Sequence, residues 1–187
     1  RENSKGKFSN IEDYLKSLNM NISIHINDKD ILTRMSQMTQ KTNQFNLTTK
    51  RYTEKEISNF LEDKSYLVIA ISVNDNFGDF GVTGLCIIKS SNKDAFIDTL
   101  LLSCRILGRN IEKKFLDIIV EILNKKNIVN LRSEFLRTLK NQQVEKYYDE
   151  NNFIITASEE NKKEYMLEIK NYVFNNIYYI KIDSKNE

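Results

Sequence analysis

The sequence contains no proline and no tryptophan, and it has one histidine and two cysteines in 187 residues. Average usage would give about nine prolines in a chain of this length. The prevalence of Lys, Asn and Ile is instead typical of AT-rich genes, so these residues are weak indicators of function. Cys86 and Cys104 form no CxxC pair, and His25 is the only histidine that could join them. A structural zinc site is therefore not expected, and the two cysteines favour reduced thiols in a cytoplasm.

Long apolar runs and a strong charge of either sign are missing as well. No apolar stretch approaches the roughly 20 residues of a transmembrane helix, and residues 1–10 lack the apolar centre of a signal peptide. The net charge of +2 does not favour nucleic acid or an anionic membrane as a partner. Hydrophobic residues form 40% and charged residues 29% of the chain, which predicts one globular domain with a full core.

The stretch at residues 98–123 is the most informative part of the chain, because it predicts a strand, a polar turn and a helix in succession. Residues 98–102 are an apolar run, and residues 111–123 carry apolar side chains at helical spacing. The turn between them, SCRILGRN, holds a cysteine, two arginines and a glycine. A helix that begins after such a turn directs free N–H groups and partial positive charge towards it. An anion, most often phosphate, is the expected ligand there.

Periodicity and capping signals divide the remaining chain into short elements. Ser9 and Glu12 predict a capped first helix, and Thr53 and Glu56 predict another capping box. The expected helices are 9–18, 53–61, 111–123 and 140–150, with one more that begins at Asp28 or Asp30 and ends at residue 40. The expected strands are 20–26, 66–73, 82–89, 95–102, 128–136, 153–157 and 163–169.

These elements predict an α/β (α+β) domain with one mixed, mostly antiparallel sheet flanked by helices. Their order is βααβββαβαββ after a leading helix. Because the chain begins with Arg, residues 1–18 are expected to be a linker and helix that follow a missing preceding domain. Residues 19–170 would form the domain itself. Residues 171–187 are expected to be a tail, although VFNNIYYIKI could pair as an added strand.

The element order and two local motifs resemble the GNAT acetyltransferases. Residues 105–110, RILGRN, are similar to the family's Q/R-x-x-G-x-G/A turn, which holds the pyrophosphate of acetyl-CoA at a helix N-terminus. The last position is Asn110 where the family has Gly or Ala. Asn141, followed by Tyr147, Tyr148 and Phe153, resembles the later N…Y…GF signature. The resemblance implies a GNAT-like sheet and CoA, or a related phosphopantetheine, as cofactor.

Three longer blocks resemble the C-terminal region of FkbH-like proteins, which belong to HAD superfamily subfamily IIIC. The blocks are residues 40–53, 75–84 and 101–112, and the resemblance extends over residues 15–153. In that family, a HAD-type phosphatase-like domain precedes this region. The whole protein loads a glyceryl unit from 1,3-bisphosphoglycerate onto an acyl carrier protein for methoxymalonyl-type polyketide extender units. The HAD motif DxDx(T/V) is not in this sequence, so the resemblance implies a detached C-terminal domain that works with a HAD-like domain and a carrier protein.

Cys104 is the first candidate for a catalytic role. It lies beside Arg105 and close to a predicted helix N-terminus, and both features favour the thiolate form. In the context of this resemblance, Cys104 could carry a glyceryl thioester and pass it to a pantetheine thiol. The alternative is a small buried residue at a strand end, since cysteine is among the most buried residue types.

The turn itself supplies the candidate cofactor-binding residues Arg105, Gly108, Arg109 and Asn110. The two arginines suit bidentate phosphate binding. Their alternative role is an ion pair with Asp98, Glu112 or Asp79.

A second polar cluster supplies candidate substrate-binding residues, because amides, hydroxyls and a guanidinium can recognise a polyol or a pantetheine amide. The alternative is a loop held together by its own side-chain-to-backbone bonds. The cluster comprises Asn43, Gln44, Phe45, Asn46, Thr48, Thr49 and Arg51.

For four other residues, a chemical role of the reactive side chain has to be weighed against a purely structural role. Asp79 could accept a proton, but it could equally bond the backbone of its own turn. His25 has nothing in the sequence that pairs it with Cys104, and Cys86 lies in an apolar strand. Tyr147 could act as a general acid or could pack in the core.

Three functions remain open from the sequence. The first is an acyltransferase-like domain that helps to transfer a glyceryl unit to the phosphopantetheine thiol of an acyl carrier protein. The second is an autonomous GNAT enzyme that moves an acyl group from acyl-CoA to an amine or hydroxyl. The third is a non-catalytic docking module for a carrier protein. None requires a metal ion in this domain.

Overall fold

The structure of the protein is a computed structural model that describes residues 10–183. Its helices are α1 (Ile11–Ser17), α2 (Leu32–Lys41), α3 (Glu54–Glu62) and α4 (Ile111–Lys125), and its strands are β1 (Met20–Ile26), β2 (Phe45–Asn46), β3 (Tyr66–Asp75), β4 (Gly78–Ser91), β5 (Asp94–Leu102), β6 (Asn130–Leu136), β7 (Ile154–Ser158), β8 (Lys162–Glu168) and β9 (Ile180–Asp183). No helix among these residues is long and apolar enough to cross a membrane.

All nine strands join one sheet in the order β7-β8-β6-β5-β4-β3-β1-β9, with β2 paired to β5 beside this path. The pairs β5–β6 and β1–β9 are parallel and the others are antiparallel. Helices α1 and α4 pack on one face, and α2 and α3 pack on the other. The predicted mixed, mostly antiparallel sheet with helices on its faces is therefore confirmed.

Local sequence explains most of these elements. Strand β3 is buried on both faces, as its continuous apolar run predicts. The capping box of α3 is present: the Thr53 hydroxyl accepts from the Glu56 N–H, and Glu56 accepts from the Thr53 N–H. Helix α1 begins after Asn10, whose side chain accepts from the Asp13 N–H. The predicted cap at Ser9 lies outside the described residues.

Asparagine takes the left-handed backbone positions that glycine usually fills. The chain has only five glycines, and Asn tolerates positive φ better than most residues do. Asn110 at the start of α4 (φ 63°) and Asn152 (φ 67°) belong to this group, which explains why both stand where the resembling families have small residues. The described non-glycine residues with positive φ are Asn19, Asn27, Thr49, Asn92, Asn110, Asn127 and Asn152.

The sheet opens between β5 and β6, and a loop of the chain enters the opening. Strand β5 pairs with β6 only over residues 94–97, and beyond that point the loop takes over the bonds of β5. The Leu47 N–H donates to Leu100 O (3.1 Å), and the Leu136 N–H on β6 donates to Leu47 O (2.8 Å). We call residues 42–48 the partition segment, and its residues from Phe45 onward are buried.

Two predicted elements differ from the structure. The helix expected at 140–150 is a pair of 3₁₀ turns, Gln142–Val144 and Asp149–Asn151. Asn141 holds this backbone by tertiary bonds, since its side chain donates to Asn46 O and Leu136 O and accepts from the Thr138 N–H. Such bonds compete with helix formation. Near the C-terminus, the structure shows an added strand and not the tail expected at residues 171–187. Strand β9 pairs with β1, and Tyr172, Ile177 and Ile180 are buried.

Candidate functional site

A groove at the end of β5 contains Cys104 and has a volume of about 800 Å³. Ligand sites of drug-sized molecules have volumes of roughly 300–1,000 Å³. We call it the Cys104 groove. Its walls come from α2, the start of the partition segment, the turn after β5, and the loop after β6. The lining residues are Arg34, Gln37, Met38, Lys41, Thr42, Asn43, Gln44, Leu102, Ser103, Cys104, Arg105, Leu139 and Lys140.

The charge of this groove has one sign. Arg34, Lys41, Arg105 and Lys140 line it, and no aspartate or glutamate does. Among residues 10–183, none of these four cations forms an ion pair within 4.0 Å. Four cations without carboxylate partners attract an anionic ligand.

Cys104 is exposed, so the structure does not support the alternative of a buried residue at a strand end. It opens a 3₁₀ turn, Cys104–Ile106, which begins directly after β5 and Ser103. The Ser103 hydroxyl accepts from Nε of Arg105 (3.3 Å). This bond holds the Arg105 side chain against the turn that contains Cys104, and both residues line the groove.

Arg34 is the main residue of the groove that the sequence did not reveal. It lies in α2, half-buried, and both Nε and Nη2 donate to Val82 O at 3.2 Å. Burial lowers the pKa of Arg34 below its ordinary value, and the charge of Arg105 adds to this effect. Arg34 and Arg105 both line the groove, so their positive charges add up there.

The predicted polar cluster is divided between the groove and the protein interior. Asn43 and Gln44 line the Cys104 groove. Asn46 and Thr48 are buried, and their side chains bond backbone groups at Thr42 O, the Thr49 N–H and Asp98 O. Arg51 donates to Thr42 O and to Asn43. The loop therefore holds itself together at these other positions.

A second cavity lies at the N-terminus of α4, where the sequence predicted phosphate. It measures about 220 Å³, and we call it the helix-mouth cavity. Its lining includes two lysines and two glutamates. The lining residues are Phe45, Leu107, Glu112, Lys113, Gln143, Val144, Lys146, Tyr147, Glu150 and Asn151.

Glu112 lies in the first turn of α4 and lines this cavity. Burial raises the pKa of Glu112. The Oε2 atom is buried without a hydrogen-bond partner among the described residues. The ring of Phe45 also lines the cavity, with its centroid 5.0 Å from that of Tyr147. The Tyr147 hydroxyl in turn donates to Glu112 O (2.8 Å).

Three of the predicted turn residues serve the fold. Nη1 of Arg109 pairs with Oδ2 of Asp75 at 2.7 Å, and its guanidinium lies 4.9 Å from the ring centroid of Phe80. Asp75 is not one of the three partners that the sequence suggested. Asn110 directs its side chain away from the helix, to the hydroxyl of Tyr179 at 2.6 Å. Gly108 is exposed with φ +75°, and its role is the left-handed backbone of the turn.

The diphosphate of CoA, which the resemblance implies at residues 105–110, does not fit this helix mouth. A diphosphate needs free N–H groups and positive charge. It would meet the Glu112 carboxyl group in a cavity of about 220 Å³, below the volumes typical of ligand sites.

The remaining candidates lie away from both cavities. Oδ1 of Asp79 accepts from the Gly81 N–H (2.7 Å), which is the turn role. His25 lies between Asp28 and Ser72, 2.9 Å from an oxygen of each. Cys86 is fully buried, and burial raises the pKa of its thiol. Among residues 10–183, no three His, Cys, Asp or Glu side chains group as metal ligands would.

Comparisons with known proteins bear on the fold. No protein-family model matches the chain, and no curated protein matches its sequence. The ribosomal-protein-S18-alanine N-acetyltransferase from Escherichia coli superposes with a TM-score of 0.61 at 13% identity, over 79% of this chain and 94% of that chain. PaiA N-acetyltransferase from Thermoplasma acidophilum, solved in complex with coenzyme A, gives 0.55 at 16% identity, over 78% and 98%.

A third similar structure is yncA from Salmonella typhimurium with its cofactor acetyl-CoA. It gives a TM-score of 0.57 at 11% identity, over 83% of this chain and 98% of that chain. Identities this low establish a fold and leave the activity open. The chain has the fold of the GNAT acetyltransferases.

Proposed function

We propose that this chain is an acyltransferase-like domain that transfers an acyl unit to the phosphopantetheine thiol of an acyl carrier protein, with Cys104 as the relay. The resemblance to FkbH-like proteins suggests a glyceryl unit, and it suggests a HAD-like domain as the source of that unit. The observation that carries the proposal is the exposed Cys104 thiol in a cationic groove of about 800 Å³. The GNAT acetyltransferase fold supports acyl transfer as the reaction class.

The chemistry would proceed by two exchanges at the carbonyl carbon. The Cys104 thiolate attacks the acyl donor, a carbon–sulfur bond forms, and the donor's leaving group departs with its electron pair. The pantetheine thiolate then attacks the Cys104 thioester and releases the Cys104 thiolate. The two thioesters are nearly equal in energy, so the second exchange needs no energy source. The cationic lining of the groove favours the negative charge that develops on the tetrahedral oxygen.

Mass spectrometry on the protein incubated with the glyceryl thioester of N-acetylcysteamine, a small pantetheine analogue, tests this function. We expect the glyceryl adduct on the peptide that contains Cys104, and we expect it to disappear when holo carrier protein is added. Cys86 is the internal control, because it is fully buried. The relay is excluded if the Cys104→Ala protein loads the carrier as fast as the wild type.

A second candidate is an autonomous N-acyltransferase that uses acyl-CoA. Two similar structures contain coenzyme A or acetyl-CoA, and this favours it. It requires micromolar binding of CoA alone and an amine acceptor. Titration of CoA, then of apo and holo carrier protein, separates the candidates. Equal binding of apo and holo carrier would instead indicate a docking module.

A further inference from the structure

We propose that Arg34 and Arg105 form a clamp for a phosphate ester, so that the Cys104 groove, and not the helix mouth, recognises the anionic end of the acyl carrier. The identity of the ligand as a phosphopantetheine arm rests on the proposed function. The site of phosphate recognition rests on the groove alone.

The charges of the two cavities differ. The Cys104 groove has four cationic side chains and no carboxyl group in its lining, whereas the helix-mouth cavity has two lysines and two glutamates. Like charges that are close together without a counter-ion cost free energy, and an anionic phosphate placed between them lowers that cost. Arg34 on α2 and Arg105 in the turn after β5 both line this groove, and the charge of Arg105 adds to the lowering of the pKa of Arg34 by burial.

The hydrogen bonds of the two arginines leave donors for a ligand. A guanidinium has five N–H donors. Arg34 uses Nε and Nη2 on a single carbonyl, Val82 O, which fixes the plane of the group. Arg105 places Nε on the Ser103 hydroxyl. Within residues 10–183, no side-chain acceptor takes Nη1 of Arg34 or either Nη atom of Arg105. Planar, pre-oriented donors of this kind bind phosphate oxygens in pairs.

The remaining lining suits a pantetheine arm attached to that phosphate. Asn43 and Gln44 offer amide donors and acceptors on the partition segment, and the apolar Met38 and Leu102 lie beside them. Cys104 follows directly after Ser103 at the end of β5. The two arginines and the Cys104 thiol therefore line the same groove.

Calorimetric titration of the full chain with 4′-phosphopantetheine, pantetheine and inorganic phosphate tests the clamp. We expect phosphopantetheine to bind at least about tenfold more tightly than pantetheine, because a charge-assisted hydrogen-bond pair contributes that much. Arg34→Gln and Arg105→Gln should each remove this difference. Arg132→Gln is the matched control, because Arg132 is an exposed arginine on β6 outside the groove. Binding of inorganic phosphate alone would identify a simple anion site with the same two arginines.

Glu112→Gln distinguishes the two cavities. The clamp predicts unchanged affinity for phosphopantetheine in this variant, whereas binding at the helix mouth predicts tighter binding once the carboxyl group is gone. The clamp is overturned if phosphopantetheine and pantetheine bind equally, if Arg34→Gln and Arg105→Gln behave like Arg132→Gln, or if Glu112→Gln raises the affinity. None of these binding measurements depends on whether the glyceryl adduct forms on Cys104. Failure of the clamp and failure of the relay are therefore separate outcomes.

Discussion

The two cavities share the partition segment and differ in almost everything else. Asn43 and Gln44 line the Cys104 groove, whereas Phe45, the next residue, lines the helix-mouth cavity. The groove combines an exposed thiol with four cations, whereas the lining of the helix-mouth cavity carries both signs and includes the buried Glu112. This difference in charge favours the groove, and not the helix mouth, as the site for an anion.

The reactivity of the two thiols should show the largest contrast. In the native protein, a maleimide should modify Cys104 at least about a hundredfold faster than Cys86, because Cys86 reacts only when the sheet opens. Burial also raises the pKa of the Cys86 thiol, which removes thiolate. Labelling followed by peptide mass spectrometry measures both rates. Similar rates would mean that the sheet opens readily around Cys86 on β4.

Substitutions of the two arginines of the turn should have different effects on stability, because Arg109 is in a structural ion pair and Arg105 is proposed to bind the ligand. Arg109→Met breaks the pair with Asp75, whose side chain is fully buried, and should lower the free energy of unfolding by about 3–5 kcal/mol. Arg105→Gln should change it by no more than about 0.5 kcal/mol, as exposed positions do. Urea unfolding at pH 7 measures both. If the two variants lose equal stability, Arg105 also has a structural role.

Gly84→Ala should disturb the floor of the groove. An added Cβ would lie 2.5 Å from Cγ1 of Ile71 and 2.9 Å from Cδ2 of Leu102, and Leu102 lines the groove. Such overpacking costs about 1–3 kcal/mol. Ser158→Ala on the exposed strand β7 is the control, and a thermal unfolding curve of each variant measures the loss. If Gly84→Ala loses no stability, the side chains of Ile71 on β3 and Leu102 on β5 move away from the added methyl group easily.

Glu112→Gln should give the smallest effect, and this effect should depend on pH. Burial raises the pKa of Glu112 above its ordinary value of 4.5, so the folded protein holds this proton more tightly than the unfolded chain does. The wild type therefore loses stability as pH rises from about 4.5 through the raised pKa, and the variant does not. The gap in unfolding free energy should grow in favour of the variant over this range, to on the order of 1 kcal/mol. If the difference in unfolding free energy between the variant and the wild type does not change with pH, the Glu112 carboxyl group is exposed to water.

Local signals were sufficient for the fold and for part of the groove. Alternation of apolar residues predicted β1, and the Thr53–Glu56 box predicted the start of α3, because both patterns act over a few residues. Cys104 and Arg105 were found for the same reason, since they are neighbours in one turn. The structure also places Asn43 and Gln44 beside them, and their binding roles remain predictions.

Tertiary contacts decided the residues that the sequence could not assign. Arg34, Lys41 and Lys140 reach the groove from distant elements, and nothing in their local sequence distinguishes them from other surface cations. Arg109 fits a phosphate-binding motif by position, but its side chain turns to Asp75 at the end of β3. The predicted helix at 140–150 was wrong because Asn141 bonds the partition segment and the end of β6.

The most direct test of which cavity binds the ligand is an amide chemical-shift titration of the ¹⁵N-labelled protein with 4′-phosphopantetheine. We expect the largest shifts at Asn43, Gln44 and residues 103–105, with the amides of residues 111–113 unchanged. Shifts confined to residues 108–113 would show that the helix mouth binds the phosphate, and they would contradict the account.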